Sequence, residues 1–342
     1  MKKYFIIAVA ALVALASCSK NETDFSSKKS NAISFSAVAA KNTKALITGT
    51  TYKTTDPHFG IFAYALTSGT WAVNHSTAQL YMDDVEISYV DADKIWEPAA
   101  TYYWPLSGTL TFIGYSPYDC NGTVAYDKAT QALTVTNFTQ VAEVDDQEDL
   151  MWATTNADLS DNQATYTSEL QTSTKTGVNE VFHHALSQVC FAVKKATGLS
   201  GYVITVDSLK FTAYSKGTLT VTEDSPAWSD QSTGLTFWAA KADSVLVDNA
   251  FRAYGEANLP VPQTLAASTQ QFTIYYKLAT TGGVDLGSTS KTVDLRVADG
   301  VTSWANNTKY IYNITIDLNK IYFSPSIVEW TSPAVEQAID VQ

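Results

Sequence analysis

The sequence predicts an all-β protein built on the β-sandwich plan. Aromatic residues are abundant, with 19 Tyr, 14 Phe and 8 Trp, whereas charged residues make up only 16% of the chain. Aromatic and β-branched side chains favour strands, and several segments alternate apolar and polar residues with the period of a half-buried strand. No segment sustains a helical period. Together these observations favour sheets packed face to face.

The chain begins with the pattern of an exported lipoprotein. Lys2 and Lys3 precede an apolar run that is too short to span a bilayer, and Leu15-Ala16-Ser17-Cys18 ends that run. This tetrapeptide resembles the bacterial lipobox, which implies cleavage after residue 17, acylation of Cys18 and anchoring in the outer membrane. The alternative is an ordinary signal peptide whose cysteine is incidental.

The chain after residue 17 is long enough for two domains. It has 325 residues, and loss of Lys2 and Lys3 takes its net charge from −12 to −14. Such acidity disfavours nucleic acid as a partner. Residues 18–31 are predicted to be a flexible tether, because they are polar. A Thr- and Ser-rich stretch, 169–177, predicts a boundary between an N-terminal domain, 32–175, and a C-terminal domain, 176–342.

Strands are predicted in order along both halves. The first is Ile33 to Ala37, where Ile33, Phe35 and Ala37 alternate with two serines. In the last of the series, Tyr310 to Leu318, the aromatic and aliphatic side chains are expected on a buried face and the polar ones on an exposed face. The other predicted strands are 59–66, 110–115, 133–138, 189–193, 203–211 and 272–278.

Five local patterns stand out along the chain. In order they are Tyr102-Tyr103-Trp104-Pro105 with Tyr115-Ser116-Pro117, Asp149-Leu150-Met151-Trp152-Ala153, Phe182-His183-His184-Ala185, Leu259-Pro260-Val261-Pro262-Gln263, and Tyr310-Ile311-Tyr312 with Val328-Glu329-Trp330. Together these patterns resemble the fimbrillin family of Bacteroidetes pilus subunits. The resemblance extends over almost the whole chain after residue 17. It implies two transthyretin-like, Greek-key β-sandwich domains in tandem. It also implies a subunit of cell-surface fimbriae that supports adhesion and contacts other subunits.

The resemblance further implies assembly by strand exchange. A trypsin-like protease would remove the first strand, residues 32–44, and the C-terminal strand of another subunit would replace it. Lys44 is the expected processing site, and Ile33, Phe35 and Ala37 are the side chains that would leave the groove. Residues 331–342 are the candidate donor strand, with Val335, Ile339 and Val341 on one face. The alternative is an ordinary first strand that is never removed.

No enzyme, cofactor or metal site is expected. The sequence lacks a nucleophile elbow and a phosphate-binding loop. His183 and His184 are adjacent in a predicted strand and face opposite ways, so we expect one packed and one exposed histidine. The acidic run 143–149 lacks the spacing of a calcium loop and is interpreted as a solvated connection. Cys120 and Cys190 are predicted to be unpaired thiols.

Two further hypotheses concern sugars. Asp207-Ser208-Leu209 and Asp243-Ser244-Val245 resemble Bacteroidetes O-glycosylation acceptors, which makes Ser208 and Ser244 candidate glycosylation sites. The alternative function is a monomeric surface glycan-binding lipoprotein, which would need exposed aromatic side chains. Trp104, Trp304 and Trp330 are instead predicted to pack in the core.

Overall fold

The computed structural model describes residues 32–39, 58–90, 95–160, 177–241, 244–298, 300–318, 320–328 and 330. Within these ranges nearly all regular structure is strand, which confirms the predicted all-β class. One helix, α1 (Trp71–Asn74), and two 3₁₀ turns, His75–Thr77 and Val144–Asp146, complete the regular elements. No helix in this part of the chain is long and apolar enough to span a bilayer.

The strands are numbered in chain order. They are β1 (Phe35–Ala39), β2 (His58–Leu66), β3 (Gln79–Val90), β4 (Ile95–Pro98), β5 (Thr109–Ser116), β6 (Thr123–Asp127), β7 (Ala132–Thr139), β8 (Met151–Ala153), β9 (Asn156–Leu159), β10 (Val178–His184), β11 (Ser187–Lys195), β12 (Tyr202–Thr222), β13 (Ser225–Ala240), β14 (Val245–Val247), β15 (Arg252–Ala253), β16 (Gln263–Thr264), β17 (Gln271–Thr280), β18 (Asp285–Asp294), β19 (Ser303–Trp304), β20 (Thr308–Ile316) and β21 (Ile321–Val328).

The first sheet closes on itself. Its strands run in the order β2-β3-β4-β1-β10-β8-β5-β9, and β5 also pairs with β2. The pairings therefore form a ring around one apolar cluster, which includes Phe35, Phe59, Trp96, Phe112 and Phe182. We call this arrangement the strand ring. Strand β1 is a member of the ring with a neighbour on each side.

Two further sheets follow. One has the order β15-β11-β20-β21; the other has the order β18-β17-β12-β7-β6, with β13 and β14 also paired to β12. They enclose a second apolar cluster that includes Phe191, Phe211, Phe272 and Tyr312. Strands β16 and β19 pair with each other as a separate two-stranded sheet, and Trp304 of β19 packs in the same cluster.

Strand pairings cross the predicted domain boundary at 175/176. Strand β10 follows the boundary in sequence but pairs with β1, and β7 precedes it but pairs with β12. A third apolar cluster combines Leu133 and Val135 with Leu219, Val221 and Trp330, so both halves of the chain contribute to one core. The boundary and the tandem transthyretin-like arrangement remain predictions.

The predicted exposed face of 310–318 is wrong in one respect. Tyr310, Tyr312 and Ile314 are buried as expected, but Ile311 and Asn313 on the opposite face are buried too. Strand β20 lies between β11 and β21, and a small cluster that contains Ile311 and Cys190 covers its second face. A central strand covered on both sides loses the alternation of exposure that an edge strand shows.

The three tryptophans assigned to the core from sequence, Trp104, Trp304 and Trp330, are all buried, which confirms that prediction. Cys120 and Cys190 are both free, as predicted, and both are buried. Burial raises the pKa of the Cys120 thiol to about 12 and that of the Cys190 thiol to about 11. Both thiols are therefore protonated and inert at neutral pH.

Candidate functional site

Strand β1 lies between two strands from distant parts of the sequence. It pairs in parallel with β10 over five residues, from Phe35 opposite Val178 to Ala39 opposite Phe182. Its other neighbour, β4, pairs with it antiparallel through Phe35 and Trp96. The backbone N–H of Ile33 donates to the carbonyl of Tyr102 at 2.8 Å and extends the contact before the strand begins.

The three side chains predicted to fill a groove, Ile33, Phe35 and Ala37, all point into the core. Their exposed fractions are 2%, 1% and 7%. The ring of Phe35 meets Phe112 edge-on at 5.5 Å and Phe59 edge-on at 6.1 Å, both of them across the strand ring. Edge-to-face contacts of this kind add to the free energy of apolar burial. Phe35 is therefore the principal apolar anchor of β1.

Glycine permits the close approach of β1 and β10. Gly177 immediately precedes β10, and a Cβ atom there would lie 3.0 Å from the carbonyl oxygen of Ser34 and from the carbonyl carbon of Phe35. That distance is too short for an ordinary contact. In the same place the N–H of Val178 donates to the carbonyl of Ser34 at 2.8 Å. A side chain at 177 would push the two strands apart.

This position gives β1 a special property in the ring. A strand at the edge of a sheet leaves one unpaired neighbour when it is lost, whereas β1 would leave two, β4 and β10. Both would expose unpaired N–H and C=O groups on either side of an apolar floor formed by Phe59, Phe112 and Phe182. Such a gap matches the width and chemistry of a single β-strand.

A buried carboxyl group lies beside β1. Glu180 of β10 is the register partner of Ala37 and is fully buried. Its Oε1 accepts a hydrogen bond from the side-chain amide of Asn156 at 3.1 Å, and its Oε2 has no hydrogen-bond partner among the described residues. Oε2 packs on Gly114, where a Cβ would come within 3.1 Å of it. Burial raises the pKa of Glu180 to about 8, so the carboxyl group is neutral at pH 7.

Titration of Glu180 is expected to make the stability of the ring depend on pH. The folded protein holds this proton more tightly than the unfolded chain, whose glutamate titrates near 4.5. The contribution therefore favours folding at low pH and is lost as the pH rises from 4.5 through about 8. Between pH 5 and pH 9 the parent protein should lose on the order of 3–5 kcal/mol relative to Glu180→Gln, in urea unfolding. Parallel pH profiles of the two proteins would contradict this.

A buried pair of polar side chains, His184 and Asp149, lies against Trp330, the last described residue. His184 Nδ1 lies 2.7 Å from Asp149 Oδ1, and the ring of Trp330 stacks on His184 at 4.3 Å and 11°. All three side chains are buried. Trp330 is thereby anchored in the core. The prediction that 143–149 is a solvated connection is wrong for its last residue, because Asp149 serves as the partner of this histidine.

His183 differs from the exposed residue that was predicted. Its ring stacks on Trp152 at 4.7 Å, and its Nε2 lies 3.0 Å from the hydroxyl oxygen of Thr154. It is half-buried, and this burial lowers its pKa. The described residues contain no group of three or more His, Cys, Asp or Glu side chains placed to hold a metal ion.

The candidate glycosylation residues lie in one surface cleft. Ser208 and Ser244 line an open cleft of about 560 Å³ together with Asp207, Trp238, Lys241 and Lys277. The Ser244 hydroxyl donates to Asp207 Oδ1 at 2.9 Å. Trp238 is half-buried and also lines an adjoining depression. Whether either serine is modified remains a prediction.

Several predicted site residues lie outside the described residues. These are Cys18, Lys44, Val335, Ile339 and Val341. Their roles remain predictions.

The residues that sequence reasoning missed are Gly177, Glu180 and Asp149. Glu180 had a weak signal, since it takes an apolar position in the alternation of Val178, Glu180 and Phe182. A charged residue in the buried register of a strand is unusual enough to be singled out.

Comparison with known proteins identifies the class of protein to which this all-β chain belongs. A family model described as fimbrillin-like matches residues 43–330. The chain belongs to the fimbrillin-like family, which confirms the resemblance seen in the sequence motifs. Family membership supports a role as a fimbrial subunit at the cell surface, in contact with other subunits, and suggests a structural rather than an enzymatic role.

Solved structures share the fold. A fimbrial protein from Bacteroides vulgatus aligns with a TM-score of 0.61 at 21% identity, covering 88% of this chain and 100% of that one. A candidate cell adhesion protein from Bacteroides uniformis aligns with a TM-score of 0.51 at 16% identity, covering 88% and 98%. The search of curated proteins finds no match.

Proposed function

We propose that this chain is a structural subunit of cell-surface fimbriae, made as an exported lipoprotein and polymerised by protease-triggered strand exchange. The observation that carries the proposal is the place of β1 inside the strand ring. Its removal would uncover two unpaired strand edges and an apolar floor at once. The fimbrial and adhesion proteins that share the fold support the same role.

The energetics favour replacement of β1 rather than a permanently open groove. Loss of Ile33, Phe35 and Ala37 would expose apolar surface that is now buried, at about 25 cal/mol for each Å². Unpaired backbone groups beside it would add a further cost. An incoming strand with apolar side chains at alternate positions would restore both the apolar burial and the backbone hydrogen bonds. Residues 331–342 have such a pattern.

The matched family range covers the chain between the two proposed exchange segments and overlaps the first of them by two residues. It begins at residue 43, next to Lys44, and ends at Trp330. On this proposal the segment that ends at Lys44 is removed, and the segment after Trp330 is donated to another subunit. Acylation of Cys18 would hold the precursor at the outer membrane until a trypsin-like protease cuts after Lys44.

Two full-length variants test the proposal. Trypsin should convert the mature chain to a product that begins at Ala45. A variant in which every lysine between β1 and β2 is replaced, Lys41→Gln with Lys44→Gln and Lys53→Gln, should keep β1 and remain monomeric. Ile339→Asp should be cut normally but fail to form oligomers, because a buried carboxylate is costly. Asp340→Asn, on the opposite face of the candidate donor strand, is the matched control and should polymerise. Oligomers formed by the triple lysine variant would contradict the mechanism.

One observation favours the alternative, a monomeric glycan-binding lipoprotein. The cleft beside Trp238 combines a half-buried indole with carboxylate, ammonium and hydroxyl groups, which are common in small-ligand sites. Saturable binding of a polysaccharide, abolished by Trp238→Ala in a chain that keeps β1 and stays monomeric, would favour this function over strand exchange.

A further inference from the structure

Glu180 is the one polar residue on the core-facing side of the part of β10 that pairs with β1. The core-facing residues of this stretch are Val178, Glu180 and Phe182, and they pair in register with Phe35, Ala37 and Ala39. Ala37 is too short to offer Glu180 a hydrogen-bond partner. Oε2 of Glu180 is left without one among the described residues, which is costly for a fully buried group.

The candidate donor segment has one polar exception of its own. Val335, Gln337, Ile339 and Val341 occupy alternate positions, so a strand made of this segment presents them on one face. Gln337 is the polar member of that face. Its amide carries both a donor and an acceptor, as does a protonated carboxyl group.

We infer that the tail of a second copy, residues 331–342, enters the vacated β1 position with Gln337 in the place of Ala37, hydrogen-bonded to Glu180. The inference rests on the proposed strand exchange and adds the register of the incoming strand. With Oε1 held by Asn156, Oε2 is the atom available to Gln337. Burial keeps the Glu180 carboxyl neutral below about pH 8, so its O–H can donate to the Gln337 carbonyl.

The assignment holds for either direction of the incoming strand. In a parallel arrangement Val335 takes the place of Phe35 and Ile339 that of Ala39; in an antiparallel arrangement these two exchange places. Gln337 stays opposite Glu180 in both arrangements, because it lies midway between Val335 and Ile339 in the sequence. The larger glutamine replaces an alanine while an aliphatic side chain replaces phenylalanine, so the volume changes oppose each other.

Glu180 would thereby exclude registers that the apolar pattern alone allows. A slip of two residues keeps the same face of the strand in the core. It would move Gln337 opposite Val178 or Phe182, where the amide finds no side-chain partner and Glu180 stays unsatisfied.

Peptide inhibition of assembly tests the inference with the full mature chain. Trypsin is added in the presence of a peptide of residues 331–342, and oligomer formation is followed on native gels. The peptide should block assembly, and a Gln337→Leu peptide should need roughly tenfold more. A Glu336→Ala peptide, changed on the other face, is the control and should match the parent peptide.

The complementary change is made in the protein. A Glu180→Leu chain should prefer the Gln337→Leu peptide, whereas Glu180→Gln should keep the preference for glutamine. If the parent and Gln337→Leu peptides inhibit the unmodified chain equally, the register is wrong while strand exchange stands. If no oligomers form even without peptide, strand exchange itself fails and the inference with it.

Discussion

Replacing Phe35 by alanine is expected to lower the free energy of unfolding by about 3–5 kcal/mol, the usual cost of removing a buried aromatic ring. The side chain is 1% exposed and contacts Phe59 and Phe112. The cavity would lie inside the strand ring. The side chains around it belong to several paired strands, so they cannot all move inward to fill it. Urea unfolding followed by tryptophan fluorescence measures the loss.

The same variant should also make β1 leave more readily. A strand that pairs with β10 over five residues and with β4 through one pair depends on its side chains for much of its hold. Trypsin should cut the Phe35→Ala chain before β2 faster than it cuts the parent. Leu106→Ala is the control, because Leu106 is fully exposed and its loss should cost under about 0.5 kcal/mol. Equal effects of the two substitutions would show that β1 does not contribute to the core.

Replacing Trp330 by alanine should cost a similar amount, about 3–5 kcal/mol. The indole is fully buried and stacked on His184, and its removal would admit water to the His184–Asp149 pair. That pair is now shielded by apolar residues from both halves of the chain. The unfolding transition of the variant should therefore broaden or shift to lower urea for both halves together.

Trp330→Phe separates stacking from hydrogen bonding. The indole N–H has no hydrogen-bond partner among the described residues, so phenylalanine should keep most of the stability, within about 1–2 kcal/mol of the parent. A phenylalanine variant as unstable as the alanine variant would contradict the stacking account. Trimming of residues 331–342 by carboxypeptidase should be faster in the alanine variant than in the phenylalanine variant.

Much of the candidate site could be predicted from local sequence patterns. The alternation of Ile33, Phe35 and Ala37 correctly predicts which side chains of the first strand are buried, because strand periodicity is a local property. The family motifs correctly predict the class of protein. The predicted strand 33–37 differs from β1 (Phe35–Ala39) only in its bounds.

The pairing partners could not be predicted in this way. Ser36 hydrogen-bonds across 142 residues of sequence to the carbonyl of Val178, and no local pattern specifies a parallel contact at that separation. Burial of Asp149 and Glu180 likewise depends on tertiary packing. From sequence alone, a carboxylate is expected to lie at the solvated surface. The burial of both faces of β20 could not be predicted for the same reason, because the residues that pack on its second face come from other parts of the chain.

The measurement that tests strand exchange most directly is the intact mass and native-gel migration of the recombinant mature protein before and after limited trypsin. Strand exchange predicts loss of the segment that ends at Lys44, followed by a ladder of oligomers that resist SDS. A protein that keeps β1 and stays monomeric after this treatment would contradict it.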